Sequence, residues 1–233
     1  MVTLQYYFMD KMTIYHGSGS IIEMPELGKG NAKNDYGLGF YCTQDLDLAK
    51  EWACSEEKDG FANEYTLDMQ GLSLLRLNDG TYHILNWLAI LLKNRTFDLT
   101  TPVGVQSKKY ILDHFLPDYE SYDIIIGYRA DDAYFSFSRA FLSNSISLEQ
   151  LRRAMELGKL GEQIVVKSPE AFRRLTFVQA IPAIGTTYYP RRQSRDTHAR
   201  QAYRTLLQEA RTEDMTFVSD LMKVNRPQDD PRI

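Results

Sequence analysis

Two short stretches, IYHGS at residues 14–18 and DYGLGFYCT at residues 35–43, decide the fold that this sequence predicts. Each joins residues of high β-propensity to glycines, which let a backbone approach a ligand closely. A third stretch, GEQIVVK at residues 161–167, predicts a strand that begins at polar groups. A lone histidine such as His16 is more often structural than catalytic. Three such strands in this order nevertheless favour a shared site.

A helix is predicted immediately after the second strand. Residues 43–45 offer an N-cap, and apolar side chains then recur at helical spacing as far as residue 54. Strand, glycine-rich turn, strand and helix therefore follow one another within about forty residues.

The rest of the pattern predicts an α+β fold, mostly antiparallel, with helices packed outside the sheets. Further strands are expected at residues 64–68, 72–77, 122–128, 164–166 and 177–181, and helices at 82–94, 107–116, 133–142, 147–158 and 168–175. We expect the strands at 64–68 and 72–77 to pair with each other. The continuous apolar run at 122–128 predicts a central strand buried on both faces. For His83 and Trp87 we expect plain core positions.

Composition limits the classes to which the chain can belong. Its 233 residues are enough for one domain with an appendage, and 27 basic against 31 acidic residues argue against a generally nucleic-acid-binding surface. Two cysteines, Cys42 and Cys54, make neither a disulfide framework nor a metal-ligand pattern, which suits a reducing cytoplasm. The N-terminus lacks a signal layout, and no apolar run reaches the ~20 residues of a spanning helix. We therefore expect a cytoplasmic protein that uses neither membrane nor metal.

The three opening stretches resemble the ADP-ribosyltransferases of the diphtheria toxin and poly(ADP-ribose) polymerase type. That family has a His-Gly on a first strand, a Gly-x-Gly-Φ-Tyr on a second and a carboxylate opening a late strand. The matches here are HG at 16–17, GLGFY at 37–41 and EQ at 162–163. The likeness spans roughly residues 12 to 180 and is closest to a toxin- or defence-associated bacterial branch, which shares YRADD at 128–132. It implies split antiparallel sheets flanked by helices.

The resemblance also implies a role for each matching residue around NAD, the co-substrate. Gly17 would hold the nicotinamide carboxamide through its backbone, and His16 would bond a ribose hydroxyl. Tyr41 and Trp52 would sandwich the nicotinamide ring, which is sound for a planar and partly cationic group. The implied NAD-binding residues are His16, Gly17, Ser18, Gly39, Phe40, Tyr41, Ala49, Trp52, Arg129, Asp131 and Asp132.

The carboxylate position stays open between two neighbours. Either Glu162 or Gln163 can occupy it, and the choice matters because adjacent strand residues point to opposite faces. A glutamate can stabilise positive charge in the transition state, whereas a glutamine can orient substrate but carries no charge. If Gln163 is the site residue, Asp131 or Asp132 could supply the charge. An ion-pair network of Arg129 with these two aspartates is an equally good interpretation.

The chain after residue 185 differs in composition from the part before it. Between residues 191 and 211 it carries six arginines against two acidic residues, with three tyrosines in or just before the stretch. An apolar stripe, which includes Ala202, Leu206 and Leu207, lies on the same predicted helix. We therefore expect a catalytic domain at 1–185 and a basic helical extension at 186–233. The extension could bind a nucleic-acid acceptor or an acidic antitoxin, or could pack on the domain with its arginines solvated.

Taken together, the resemblance implies transfer of ADP-ribose from NAD to a macromolecular acceptor, either RNA, DNA or protein. It also implies a bacterial toxin or phage-defence effector that an antitoxin controls. Two other hypotheses remain open. One is a catalytically inactive module that binds NAD or ADP-ribose, and the other is an NAD glycohydrolase.

Overall fold

The computed structural model describes residues 10–130, 132–156, 161–209 and 212–224. Its strands are β1 (Lys11–Ser18), β2 (Phe40–Cys42), β3 (Gly60–Asp68), β4 (Leu74–Arg76), β5 (Ile124–Tyr128), β6 (Glu162–Val166) and β7 (Leu175–Ala183). Its helices are α1 (Leu46–Ala53), α2 (Ile84–Asn94), α3 (Pro102–Phe115), α4 (Asp132–Leu142), α5 (Leu148–Glu156), α6 (Pro169–Arg173), α7 (Gly185–Leu207) and α8 (Val218–Leu221). The predicted α+β class is confirmed.

The strands form two sheets that meet at β1 and β2. One sheet has the order β1-β3-β7 and is antiparallel; the other has the order β2-β6-β5-β4, in which only the β4–β5 pair is parallel. A backbone bridge joins them, because the Tyr15 N–H donates to the Thr43 carbonyl at 2.7 Å and the Thr43 N–H donates back at 3.0 Å. The ends of β1 and β2 are thereby held side by side.

The predicted pairing of the strands at 64–68 and 72–77 is wrong. Both strands exist, but β3 lies between β1 and β7, whereas β4 lies at the edge of the other sheet beside β5. Long strands occupy both edges of β3, so neither edge is open to β4. The residues between them, 69–73, carry the chain from one sheet to the other.

Apolar side chains fill two layers on either side of the second sheet. Ile124 and Ile126 of β5 pack between the two sheets, whereas Ile125 packs among the helices that cover the opposite face. All three are fully buried. Because successive strand residues face opposite sides, a strand buried on both sides must be apolar throughout. The prediction of a central strand buried on both faces is confirmed.

Helix caps account for the start of α1 and α2. Asp45 caps α1 by accepting from the Leu48 N–H at 3.1 Å, within the predicted capping segment. His83 caps α2, and its Nδ1 accepts from the Leu85 N–H at 3.2 Å. The core role expected for His83 is therefore wrong, whereas Trp87 is 1% exposed and belongs to the core as predicted.

The C-terminal helices pack against the rest of the chain. Ala199 and Leu206 of α7 are buried, and the Tyr203 ring lies 4.1 Å from that of Phe137 on α4. Leu207, expected on the same apolar face, is 46% exposed. A division into two domains at residue 185 stays a prediction. Within the described residues, no helix is both long and apolar enough to cross a membrane.

Candidate functional site

A cavity of about 240 Å³ lies where β1, β2, β6 and the end of β5 meet helix α1. Roughly 300–1,000 Å³ is typical of pockets that hold a whole drug-sized ligand, so this space fits one end of a larger molecule. It collects side chains from segments far apart in the sequence. Its lining residues are His16, Gly17, Asn34, Asp35, Tyr41, Trp52, Arg95, Arg129, Ala130 and Gln163.

His16 is held in one orientation and one protonation state. Its Nδ1 lies 2.7 Å from the Tyr41 carbonyl oxygen, which can only accept, so Nδ1 carries the hydrogen. The Phe40 ring stacks on the imidazole at a centroid distance of 4.3 Å. Burial lowers the pKa of His16, and the hydrogen bond to Tyr41 opposes this effect. The ring is therefore neutral near pH 7, and Nε2 is left as a hydrogen-bond acceptor.

Two of the motif glycines are required by packing. A Cβ on Gly17 would lie 2.0 Å from the Ala49 carbonyl oxygen of α1, and one on Gly39 would lie 2.6 Å from Val165 Cγ1 of β6. Both distances are far shorter than any real contact. The close approach of β1 to α1 thus accounts for Gly17 without a ligand, although Gly17 also lines the cavity.

Tyr41 ties the glycine-rich loop to the site. Its hydroxyl donates to the Gly37 carbonyl at 2.5 Å and accepts from the Tyr36 N–H at 3.1 Å. Burial is the main reason that the pKa of Tyr41 lies well above its ordinary value. The phenol therefore stays neutral and acts as a structural clamp, while the side chain still lines the cavity.

Trp52 and Arg129 contact each other across the cavity wall. The Arg129 guanidinium carbon lies 3.5 Å from the Trp52 ring centroid, which is a close cation–π contact. Arg129 therefore covers one face of the ring. A flat ligand ring can stack on Trp52 only at the other face, or after Arg129 moves.

The two candidates for the carboxylate position lie on opposite faces of β6. Gln163 lines the cavity and is 6% exposed. Its Oε1 is buried and has no hydrogen-bond partner within the part of the chain that the structure describes. Glu162 instead accepts from Arg76 at 3.0 Å and from Asn78 at 2.6 Å. Gln163 is therefore the one that faces the other cavity residues.

A buried carboxylate that sequence reasoning did not assign to the site is also present. Asp35 is 6% exposed; its Oδ1 lies 3.3 Å from Arg95, and its Oδ2 accepts from the Ala130 N–H at 3.0 Å. The sequence signal for Asp35 was its position directly before Tyr36 and Gly37 of the glycine-rich stretch. Arg95 carries no such signal in the sequence, because it becomes a neighbour of Asp35 only when the end of α2 packs beside this loop.

Two of the predicted NAD-binding residues, Ser18 and Ala49, are not among those that line the cavity. Ser18 turns away to hydrogen-bond the Ser20 carbonyl, and Ala49 is fully buried against β1. Asp132 is the first residue of α4, and Asp131 lies outside the described residues. Phe40 stacks on the His16 ring, and Gly39 lets β2 pack closely against Val165 of β6. The part of the chain with described positions contains no cluster of three or more His, Cys, Asp or Glu residues suited to a metal ion.

The segment that holds the cavity is also the segment that matches a known family. A family model described as "Protein of unknown function (DUF3990)" matches residues 12–177, from β1 into β7. No curated protein and no solved structure matches the chain. Every lining residue falls within the matched segment, and helices α7 and α8 follow it. The chain belongs to the DUF3990 family.

Proposed function

We propose that this protein is an ADP-ribosyltransferase that uses NAD as co-substrate and binds its nicotinamide–ribose end in the cavity. The observation that carries the proposal is the convergence of His16, Gly17, Tyr41, Trp52 and Gln163 in one cavity. These residues come from separate stretches of the sequence. His16, Gly17, Tyr41 and Trp52 match residue types of the family, and Gln163 occupies the position where the family has its carboxylate.

The polar groups of the cavity suit that end of NAD. Neutral His16 offers Nε2 as an acceptor for a ribose hydroxyl. Gln163 Oε1 is a buried acceptor without a protein partner, so it can receive a carboxamide N–H or a second ribose hydroxyl. Arg95 and Arg129 add two guanidinium groups, which suit a diphosphate. The cavity volume of about 240 Å³ leaves the adenosine end to extend beyond it.

The reaction breaks the bond between ribose C1′ and the nicotinamide nitrogen. The bonding electrons go to nicotinamide, which leaves as a neutral molecule, and positive charge develops on the sugar as in glycoside hydrolysis. An acceptor nucleophile forms the new bond to C1′ and loses its proton to solvent. Preorganised negative charge near C1′ lowers the barrier, because the charge exists before the transition state forms.

We assign that negative charge to Asp35. Gln163 has none, and Glu162 is engaged with Arg76 and Asn78 on the other face of β6. Arg95 and the Ala130 N–H hold the Asp35 carboxylate in place. Trp52 and Tyr41 supply apolar walls that exclude water from the reacting carbon.

The test is nicotinamide release from NAD by purified protein, measured for the wild type, Asp35→Asn and Asp98→Asn. Asn keeps the shape of Asp35 and an acceptor for the Ala130 N–H but removes the charge. We expect Asp35→Asn to lower the rate on the order of 10²-fold, as for loss of one preorganised electrostatic group. Asp98 is exposed and lies three residues beyond Arg95, so Asp98→Asn should match the wild type. Thermal unfolding of all three chains controls for folding.

Nicotinamide release, combined with labelling of a cell extract and an NAD-induced thermal shift, distinguishes the two remaining alternatives. An NAD glycohydrolase releases nicotinamide and labels no macromolecule in a cell extract. An inactive NAD-binding module shows an NAD-induced thermal shift but no nicotinamide release, and the neutral Gln163 at the expected carboxylate position favours this alternative. Absence of both release and thermal shift would overturn the proposed function.

A further inference from the structure

A second and larger cavity, of about 500 Å³, opens beside the first. Tyr128 lines it, whereas Arg129 and Ala130, the next residues in the chain, line the first cavity. Consecutive residues at the end of β5 therefore line the two cavities. A volume of about 500 Å³ lies within the range of roughly 300–1,000 Å³ for small-molecule sites.

Two proton-donating groups face each other in the wall of this second cavity. His83 Nδ1 accepts from the Leu85 N–H, so in the neutral ring the hydrogen lies on Nε2. The Arg152 guanidinium contacts that same Nε2. A guanidinium has donors only. Burial of the imidazole, and then the charge of Arg152, lower the pKa of His83. Both groups are therefore hydrogen-bond donors in the wall of the cavity, which suits an anionic oxygen as the ligand.

Other lining groups suit a nucleobase. Tyr82 and Tyr128 provide aromatic rings on which a base can stack. Asn78 donates through Nδ2 to Glu162 at 2.6 Å, while its buried Oδ1 has no hydrogen-bond partner among the residues whose positions are described. An amide oxygen of this kind can accept from a base amino group. Glu162 thus positions Asn78 from the face of β6 opposite to Gln163.

From these contacts we infer that the second cavity binds a nucleoside monophosphate unit as the ADP-ribose acceptor, an inference that rests on the proposed function. Arg152 and His83 bind the phosphate, Tyr82 and Tyr128 hold the base, and Asn78 orients it toward the first cavity. A nitrogen or hydroxyl of the nucleotide attacks C1′, nicotinamide leaves with the bonding electrons, and the proton of the nucleophile passes to solvent. The unit is either a free nucleotide or part of a single strand.

The test measures binding and transfer separately in Arg152→Gln and in the matched variant Arg153→Gln. The two variants remove the same charge from adjacent positions, but Arg153 pairs with Glu209 on the surface and is absent from the cavity lining. The binding probes are a fluorescein-labelled single-stranded oligonucleotide of mixed sequence and the four nucleoside 5′-monophosphates as competitors. The transfer readout is labelled ADP-ribose on the oligonucleotide or the free nucleotide, divided by nicotinamide released.

We expect probe binding to weaken at least 10-fold in Arg152→Gln, and the transfer ratio to fall with it, while Arg153→Gln behaves as wild type. Displacement by monophosphates identifies a free nucleotide as a sufficient ligand, whereas binding of the strand alone identifies a strand-borne unit. Any of three results would overturn the inference. They are equal losses of probe binding in the two variants, undiminished binding in Arg152→Gln, and no binding of either probe by the wild type. If the wild type binds as expected but releases no nicotinamide, the proposed function fails and the nucleotide site stands.

Discussion

At Gly17 the backbone of β1 touches the backbone of α1, and this contact limits what the residue can be. A Cβ there would lie 2.0 Å from the Ala49 carbonyl oxygen, and a helix backbone cannot give way as a side chain can. Overpacking of this kind typically costs about 1–3 kcal/mol. We expect Gly17→Ala to lower the free energy of unfolding in urea by at least about 2 kcal/mol.

Gly19→Ala is the matched control, because a Cβ at Gly19 meets nothing within 4 Å. It should leave the free energy of unfolding unchanged or slightly raised, since alanine reduces the entropy of the unfolded chain. Equal stability of the two alanine variants would show that β1 and α1 are farther apart than the structure has them. The comparison measures stability and not activity, because Gly17 also lines the cavity. A loss of activity in Gly17→Ala could come either from misfolding or from the changed cavity.

His83 predicts a pH dependence of stability. Burial, and then the charge of Arg152, lower its pKa from 6.5 to about 4. Between these pH values the unfolded chain binds a proton that the folded chain does not, so the free energy of unfolding rises with pH. The contribution is at most about 3 kcal/mol, and less where solvent screens the exposed Arg152.

The variant His83→Asn keeps a side chain that can cap α2 and removes the titrating ring. Unfolding in urea at pH 4.5, 5.5 and 7 should therefore show a steeper fall toward acid in the wild type than in His83→Asn. The difference in the free energy of unfolding between the two chains at each pH reports His83 alone, because the carboxylates that titrate in the same range are present in both. Parallel profiles would contradict the lowered pKa.

Among the elements, helix α7 depends on a buried ion pair with α1. Arg195 donates to both carboxylate oxygens of Glu51, at 2.9 and 3.1 Å, and the Glu51 side chain is 3% exposed. The hydrogen bonds that Arg195 donates to Glu51 also raise the pKa of Arg195. Removing one member of such a pair leaves a buried charge. We expect Arg195→Gln to lower the free energy of unfolding by about 3 kcal/mol.

Arg192→Gln is the control for this element, because Arg192 lies on the same helix and is exposed. Its effect should stay within about 0.5 kcal/mol, as for most surface substitutions. The double variant Glu51→Gln with Arg195→Gln should recover part of the loss, since neither charge remains. No recovery would mean that Arg195 acts through contacts other than Glu51.

For the whole molecule, the C-terminal helices complete the core. Val218 and Leu221 of α8 are fully buried in the same helical cluster as Ala199 of α7. A chain that ends at residue 184 loses this cover and exposes the facing apolar side chains. We expect it to lack a cooperative thermal transition, whereas a chain that ends at residue 224 and keeps both helices should unfold cooperatively. A cooperative transition in the shorter chain would establish an independent domain.

The packing of α7 also bears on the basic extension that the sequence suggested as an acceptor-binding surface. Arg191 lies 3.6 Å from Asp47, and Arg195 is bound to Glu51, so both face α1. Arg200 pairs with Asp196 on its own helix. These arginines are engaged with the protein, which is why we place the acceptor at the second cavity.

The sequence by itself determined most elements and the segment that caps α1. Alternating or continuous apolar runs predicted the strands, and the capping segment at residues 43–45 predicted the start of α1. Both signals are local, because periodicity and capping depend on residues a few positions apart. The glycine and histidine motifs also led to His16, Tyr41 and Trp52, which do meet in one cavity.

Only the tertiary structure decided which partners these elements have. Three findings depend on positions far apart in the chain. β4 lies in the second sheet, Gln163 and not Glu162 lines the cavity, and Asp35 forms an ion pair with Arg95. Strand register selects between neighbours on opposite faces, and local sequence does not contain that register. A buried carboxylate becomes recognisable only when its distant partner is beside it.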